Sequence, residues 1–244
     1  NGKILWKKEL HNWFNHLYPL KSGPGWMPRR LVAVGDYVYL SPGIGQNLLK
    51  LDAATGEVLH EFENTSTTFE LIVSKGTVFA AIDSTQSVPD YRQQDPNCWN
   101  ERDRASTKWG WKRNKGDRLL KAMDSDNGET LWQHKMPITP MTLTTKEDKV
   151  CLYNGDAILA FNRNTGNKLW ETTTSEMDMV RTGYSGPRLI MKEDYIVFSP
   201  KDQLFTLSAE SGELIWSSND KPRSGHFSLE DVYVIEDKVW VLGR

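Results

Sequence analysis

Short apolar segments alternate with polar turns along the chain, and the alternation recurs in a fixed order. Residues 29–34 form a predicted strand that ends in the apolar run Leu31 to Val34, Gly35 and Asp36 form a polar turn, and residues 37–40 form a second apolar run. Short runs rich in β-branched and aromatic residues, bounded by Gly, Asp or Asn, are typical of β-strands. The same order returns from residues 69, 141 and 188 and begins once more at residue 232. The pattern therefore predicts repeated antiparallel strands.

The second half of each unit is a predicted hairpin with a glycine at a fixed place. Its turn reads Asp-Ala-Ala-Thr-Gly-Glu at residues 52–57, and related turns follow at residues 124–129, 162–167 and 208–213. Asp or Asn at the first position accepts hydrogen bonds from its own downstream backbone, and glycine supplies the positive φ that such a loop needs. Four residues after each glycine stands a docking residue; the docking residues are Trp6, His60, Trp132, Trp170 and Trp216.

The acidic start of one turn also suggests a calcium loop. Asp124 and Asp126 have the spacing with which such a loop begins. An EF-hand loop, however, needs Gly at its sixth position and Glu at its twelfth, where this chain has Glu129 and Lys135. We therefore predict a hairpin there and no metal site.

The spacing of the repeats indicates a unit of about forty residues, the length of one propeller blade. Successive repeat glycines, beginning at Gly2 and ending at Gly212, are 54, 72, 38 and 46 residues apart, so the longer intervals carry insertions. The chain begins with Asn1 in the middle of a repeat, which indicates that its start was processed or cut. We predict one partial propeller: an outer strand at residues 1–10, blades at residues 29–64, 68–136 (with an insertion at 83–117), 138–172 and 187–218, and the start of a further blade at 229–244.

The motif Asp-x-x-Thr-Gly-x-x-x-Trp, nearly complete at residues 124–132 and 162–170, resembles the tryptophan-docking repeat of the quinoprotein (PQQ-like) β-propellers. The resemblance implies an all-β fold with four complete four-stranded antiparallel blades, partial blades at both ends, and membership of a larger propeller. In that family the tryptophans pack between blades, so Trp6, Trp132, Trp170 and Trp216 are expected in the core, and His60 is expected to weaken one contact. The resemblance also implies an exported bacterial protein, periplasmic or extracellular.

Composition narrows the classes of function. The net charge is −2 and the isoelectric point is about 6.3, which gives no electrostatic footprint for nucleic acid. No apolar run approaches the ~18 residues that a membrane-spanning helix needs. Cys98 and Cys151 are too few for a disulfide scaffold, and a single bridge and two free thiols both remain open. No catalytic constellation of Ser, His and Asp or of Cys and His stands out.

The order of strands sorts the connections onto two faces. Strands in a meander alternate in direction, so the turns between first and second strands share one face with those between third and fourth strands. The long segments at residues 11–28, 83–117, 173–186 and 218–229 all fall on the opposite face. Long loops on a rigid scaffold are where binding usually resides. We therefore predict that recognition takes place on the face with the long loops.

Two groups of residues on that face are candidates for ligand contact. The largest insertion interleaves aromatic and cationic side chains, and the neighbouring 11–28 loop adds Trp13 and Trp26. Such a group suits contact with a protein, a sugar or a base. Near the predicted axis, arginines at the starts of innermost strands are placed to hold an anion. The structural alternatives are tryptophans that cover a blade edge and arginines that pair with acids. The candidate ligand-binding residues are Trp13, Trp26, Arg29, Arg30, Tyr91, Arg92, Trp99, Arg102, Trp109, Trp111, Arg181 and Arg188.

The function favoured by these observations is a non-catalytic binding or scaffolding module with a protein or glycan partner, without cofactor or metal. The alternative implied by the resemblance is a quinoprotein dehydrogenase, in which PQQ and a calcium ion accept a hydride while an Asp acts as base. The adjacent cysteine pair of many such enzymes is absent, and no Glu/Asn/Asp calcium set matches residue by residue. A third interpretation, the propeller lipoprotein of outer-membrane protein assembly, fits the repeats, but its lipidated start is missing here.

Overall fold

The computed structural model describes residues 2–10, 29–43, 45–83, 118–139, 141–174, 188–199, 203–218 and 232–241. Within these ranges every regular element is a β-strand. The strands form four four-stranded antiparallel sheets and one two-stranded sheet, and in each sheet neighbours in sequence are neighbours in space. The prediction of an all-β, partial propeller with four complete blades is confirmed.

The first blade contains β1 (Leu31–Val34), β2 (Tyr37–Leu40), β3 (Leu48–Asp52) and β4 (Val58–Phe62). The second contains β5 (Thr68–Ser74), β6 (Thr77–Asp83), β7 (Arg118–Asp124) and β8 (Thr130–Met136). The third contains β9 (Thr144–Lys146), β10 (Lys149–Tyr153), β11 (Ala157–Asn162) and β12 (Lys168–Thr173). The fourth contains β13 (Arg188–Met191), β14 (Tyr195–Ser199), β15 (Leu204–Ser208) and β16 (Leu214–Ser218), and the two-stranded sheet contains β17 (Val232–Ile235) and β18 (Lys238–Val241).

The core lies between successive blades. Leu48 and Phe62 of the first blade pack with Leu71 and Val78 of the second, and separate clusters of the same kind join the second blade to the third and the third to the fourth. All seven residues of β6 are buried, because both faces of its sheet are covered by neighbouring sheets. The innermost strands β1, β5, β9 and β13 contact one another in that order, so they line the axis of the propeller.

The hairpin turns between third and fourth strands are built as the sequence predicts. The Asp52 side chain accepts hydrogen bonds from the backbone amides of Ala54 and Thr55, at 2.9 and 2.8 Å, and Gly56 has φ +76°. These bonds to the charged carboxylate lower the pKa of Asp52, the bond from Thr55 most of all. The Asp124 carboxylate likewise accepts hydrogen bonds from the backbone amides of Asp126 and Asn127.

Three tryptophans dock on the glycine turns of the first, third and fourth blades. The indole N–H of Trp132 donates to the carbonyl of Arg163 at 2.7 Å, and a Cβ built on Gly166 would lie 2.7 Å from Cδ2 of that indole. Trp6 and Trp170 repeat this arrangement on the first and fourth blades. Glycine is required at the turn because the ring of the preceding blade occupies the space that a side chain would fill. The structure thus places Trp132 and Trp170 in the core between blades, as the resemblance implies, whereas Trp6 is only partly buried.

His60 replaces tryptophan at the junction of the first and second blades, and Lys50 supplies the missing hydrogen bond. The His60 ring lies against Gly128, while the Lys50 ammonium donates to the Ser125 carbonyl at 3.1 Å and to the Asp126 carboxylate at 2.8 Å. Lys50 and His60 are cross-strand neighbours, and Ser125 is the counterpart of Arg163 in the turn. The contact expected to be weak is therefore reinforced by a cation.

Trp216 departs from the expected core position. It is 39% exposed, whereas Trp132 is 8% exposed. The docked tryptophans pack against the glycine turn of the following repeat, and the described part of the chain contains no such turn after Trp216. The prediction that Trp216 is buried is therefore wrong for this chain.

Residues 2–10 contribute the docking residue Trp6 but are not assigned to a strand within the described ranges. A strand is defined by hydrogen bonds to a neighbour, and no described strand lies alongside these residues. The outer strand at residues 1–10 therefore stays a prediction, while Trp6 docks on the first blade through the Ala53 carbonyl at 2.9 Å.

Candidate functional site

The two faces of the propeller differ in their connections. We call the face with the turns at residues 35–36, 75–76, 147–148 and 193–194 the short-turn face, and the opposite face the long-loop face. The insertion between β6 and β7 belongs to the long-loop face, as does the segment between β12 and β13. Nine of the predicted site residues lie outside the described ranges: Trp13, Trp26, Tyr91, Arg92, Trp99, Arg102, Trp109, Trp111 and Arg181.

Two predicted arginines meet an unpredicted carboxylate where the innermost strands begin. Arg29, just before β1, lies with its Nη2 3.7 Å from Oε1 of Glu70 in β5. Nη2 of Arg29 also reaches the third blade, where it donates to the Leu143 carbonyl at 3.4 Å. Arg188, at the start of β13, lies with Nη1 3.3 Å from the sulfur of Met141. We call this group the axial mouth: Arg29, Glu70, Met141, Leu143 and Arg188.

Glu70 reaches the axial mouth through an irregularity in β5. Thr68 pairs with Ile82 and Glu70 with Ala81, so Phe69 is an extra residue in the ladder, a β-bulge. Bulges commonly re-aim a neighbouring side chain. The Glu70 side chain is fully buried, and its Oε2 accepts a hydrogen bond from the Met141 amide at 2.7 Å. Sequence analysis missed Glu70, although a carboxylate inside an apolar innermost strand is a usable signal of a polar site.

Burial dominates the electrostatics of Glu70. Desolvation raises the pKa of its carboxyl from 4.5 to about 7, and the positive charges of Arg29 and Arg188 and the backbone amides of Met141 and Leu143 only partly oppose that rise. One carboxylate thus faces two guanidinium groups. The axial mouth carries an excess of positive charge whether or not Glu70 is ionised.

Arg30 occupies a different environment from Arg29. It is only 4% exposed, whereas 45% of the Arg29 side chain is exposed. Its carbonyl accepts a hydrogen bond from the Ser41 amide at 2.9 Å, which holds the start of β1 against the first blade. Arg29 rather than Arg30 therefore presents its guanidinium at the axial mouth.

A buried ion pair holds the root of the long insertion. Asp83 ends β6 and Arg118 begins β7, so the two residues flank the insertion, and Nε of Arg118 lies 3.5 Å from Oδ2 of Asp83. The Arg118 guanidinium lies 5.1 Å from the centre of the Phe69 ring and also donates to the Ile138 carbonyl of the segment leading to the third blade. Burial lowers the pKa of Arg118, and Asp83 opposes that shift. The buried pair therefore joins the end of β6 to the start of β7 beside Phe69, the neighbour of Glu70 in the axial mouth.

The described residues do not fit a calcium-dependent cofactor. Among them no group of three or more His, Cys, Asp or Glu side chains is arranged to hold a metal ion. Calcium prefers several oxygen ligands, whereas the axial mouth has one carboxylate beside two cations. This charge distribution suits an anion. The Cys151 thiol is buried and free, and burial raises its pKa, so it is not an activated nucleophile.

Comparison with protein families finds one matching model, described as outer membrane protein assembly factor BamB, which matches residues 1–157 and again residues 115–243. No curated protein matches the chain by sequence. Among the residues that the structure describes, there is no helix long and apolar enough to cross a bilayer.

Solved structures share the fold at low sequence identity. The computationally designed protein Ika8 matches with a TM-score of 0.56 and 14% identity over 87% of this chain and 57% of its own. The quinohemoprotein alcohol dehydrogenase of Comamonas testosteroni matches with 0.55 and 16% over 91% of this chain and 39% of its own. The quinohemoprotein alcohol dehydrogenase ADHIIG of Pseudomonas putida HK5 matches with 0.50 and 11% over 86% of this chain and 37% of its own. The chain thus spans well under two thirds of these three proteins, and the likeness shows a shared propeller fold.

Proposed function

Because the chain belongs to the family described as outer membrane protein assembly factor BamB, we propose that it is a non-catalytic binding or scaffolding module of an exported bacterial protein. It recognises a protein or glycan partner through its long-loop face. We further propose that it works in the periplasm or outside the cell, in line with the outer-membrane process named in the family description. The observation that carries this proposal is the difference between the two faces.

The short-turn face is occupied by contacts between blades. Lys75 of the second blade pairs with Glu147 of the third at 2.9 Å, and Lys146 of the third pairs with Glu193 of the fourth at 2.9 Å. Arg163 of the third blade donates to carbonyls of Ser74 and Glu147. Exposed ion pairs stabilise little individually, but these turns are short and bonded to one another. They leave few groups free to adapt to a partner.

The long-loop face has the features of a recognition surface. Its largest insertion starts and ends at the buried pair of Asp83 and Arg118 and carries Trp99, Trp109 and Trp111 among cationic residues. Aromatic and arginine side chains carry a large share of the binding energy in many protein interfaces. The charged axial mouth lies beside the root of this insertion. Among its described residues, the axial mouth has no nucleophilic side chain beside a base, which supports binding there.

The experiment that tests this function removes the aromatic anchors. Trp109→Ala and Trp111→Ala are expected to weaken binding to a cell-envelope protein or glycan by about 1–3 kcal/mol while leaving the melting temperature nearly unchanged. Leu131→Ala, on the exposed side of outer strand β8, is the matched control and should leave binding intact. If both tryptophan substitutions lower the melting temperature by several degrees with binding intact, the tryptophans form a structural lid and the proposal fails.

The second candidate is a quinoprotein dehydrogenase, favoured by the fold that the chain shares with two quinohemoprotein alcohol dehydrogenases. One carboxylate beside two cations does not suit the calcium ion of such an enzyme, and we propose that the chain binds no PQQ. The test is a titration with PQQ and calcium, followed by absorbance and tryptophan fluorescence. Saturable low-micromolar binding together with dye-linked alcohol oxidation would establish the enzyme instead.

A further inference from the structure

Arg29 makes only long polar contacts among the described residues. Its Nη2 lies 3.7 Å from the Glu70 carboxylate, which is beyond hydrogen-bonding distance, and 3.4 Å from the Leu143 carbonyl. A guanidinium has five N–H donors in a rigid fork. Because 45% of the Arg29 side chain is exposed, donors remain for a ligand at the axial mouth.

Glu70 is likewise only partly satisfied. Its Oε2 accepts a hydrogen bond from the Met141 amide, but its buried Oε1 has no hydrogen-bond partner among the described residues. Met141 adopts φ +68°, a conformation that non-glycine residues rarely take and that clusters at binding sites. The backbone is thus held in an unfavourable conformation while its amide bonds the carboxylate between the two arginines.

We propose that the axial mouth binds a carboxylate of an acidic segment of the protein partner, held between Arg29 and Arg188. This inference rests on the proposed binding function and specifies the chemistry of one contact. The geometry of Arg29 favours a carboxylate, because its half-exposed guanidinium presents a planar fork that a carboxylate accepts through two parallel hydrogen bonds, and a single negative charge adds least to the charge of Glu70. A phosphate dianion would leave excess negative charge beside Glu70.

Glu70 competes with the incoming carboxylate for the same two arginines. Like charges at close range in a buried site repel each other strongly. Replacing Glu70 with neutral Gln therefore strengthens the binding of an acidic ligand, provided that the arginines stay in place. A purely structural ion cluster behaves in the opposite way, because removal of Glu70 releases the arginines.

The test uses a fluorescein-labelled tetraglutamate peptide with blocked termini, titrated into the intact protein at low ionic strength. We expect Arg29→Gln and Arg188→Gln each to weaken binding about tenfold or more, as loss of one partner of a close charge pair does. Lys146→Gln removes a cation paired with Glu193 on the short-turn face and is the matched control, which should bind as the parent does. Glu70→Gln should bind several-fold more tightly.

The inference would be overturned by equal weakening in Arg29→Gln and Lys146→Gln, or by weaker peptide binding in Glu70→Gln. It would also be overturned if inorganic phosphate displaced the peptide more effectively than free glutamate does. Arg29→Lys keeps the positive charge on a half-exposed side chain and should retain part of the affinity for the peptide. This variant tests the site even if Arg188→Gln unfolds the protein. If tetraglutamate fails to bind while envelope-partner binding still depends on Trp109 and Trp111, this inference fails and the proposed function stands.

Discussion

The docking of Trp132 on Gly166 allows one substitution to be predicted in detail. In Gly166→Ala the new Cβ would lie 2.7 Å from Cδ2 and 2.9 Å from Cγ of the indole, far inside van der Waals contact. Neither partner is free to move. Trp132 is buried and donates to Arg163, and the Gly166 carbonyl bonds the His134 ring nitrogen at 2.6 Å.

The expected destabilisation has two parts. Alanine at φ +73° carries a backbone cost of about 1–2 kcal/mol. Forcing a methyl group into a well-packed contact adds about 1–3 kcal/mol. Gly76→Ala is the matched control, because Gly76 has φ +74° and nothing within 4 Å of its Cβ position. Gly166→Ala should therefore lower the free energy of unfolding by about 1–3 kcal/mol more than Gly76→Ala does.

Urea unfolding at equilibrium, followed by far-ultraviolet circular dichroism, measures both variants. The double variant Gly166→Ala/Trp132→Phe adds a second check, since the smaller ring should recover part of the loss and the two changes should not be additive. Equal destabilisation by Gly166→Ala and Gly76→Ala, within about 0.5 kcal/mol, would show that the indole does not rest on the glycine.

Three further predictions concern single side chains. The pKa of Glu70 is about 7 in the folded protein and 4.5 in the unfolded protein, so the folded protein should lose roughly 3 kcal/mol of stability as the pH rises from 4.5 through 7. Urea unfolding at several pH values measures this loss, and Glu70→Gln should abolish it. Lys50→Met leaves the Ser125 carbonyl without its donor and should lower the free energy of unfolding in urea by about 1–3 kcal/mol. The exposed control Lys146→Met should lower it by less than about 0.5 kcal/mol. In calorimetry, Trp170→Ala should lower the free energy of unfolding by about 3–5 kcal/mol, because Trp170 is docked on the fourth blade. Trp216→Ala should lower it by under about 1 kcal/mol, because Trp216 is partly exposed. Equal losses in the two variants would contradict this difference in docking.

The repeats made the architecture predictable from sequence. Turn chemistry is local, so the Asp and Gly of residues 52–57 indicate a hairpin without knowledge of the rest of the chain. The tryptophan four residues after each glycine then shows where one blade meets the next. The same rule failed at Trp216, because burial of a docking tryptophan depends on a neighbouring repeat rather than on its own sequence.

The candidate site was only half predictable. Arg29 and Arg188 could be placed near the axis from their positions before or at the start of innermost strands. Glu70 could not be joined to them, because its direction depends on the bulge at Phe69 and its partners come from three other blades. The sequence likewise did not predict that the Lys50 ammonium replaces an indole N–H, since this contact depends on a cross-strand pair and on a turn in the next blade.

The most direct test of the proposed function is a photo-crosslinking scan of the two faces in living cells. p-Benzoylphenylalanine is placed at Lys108 and Lys112 of the long insertion and at the exposed Leu31 near Arg29, which test the long-loop face, and at Thr55 and Asn164 on the short-turn face. A binding module that recognises its partner through the long-loop face should give one shared adduct of the same mass at the long-loop positions and none at the turns. Adducts that form equally on both faces, or only at Thr55 and Asn164, would contradict the account.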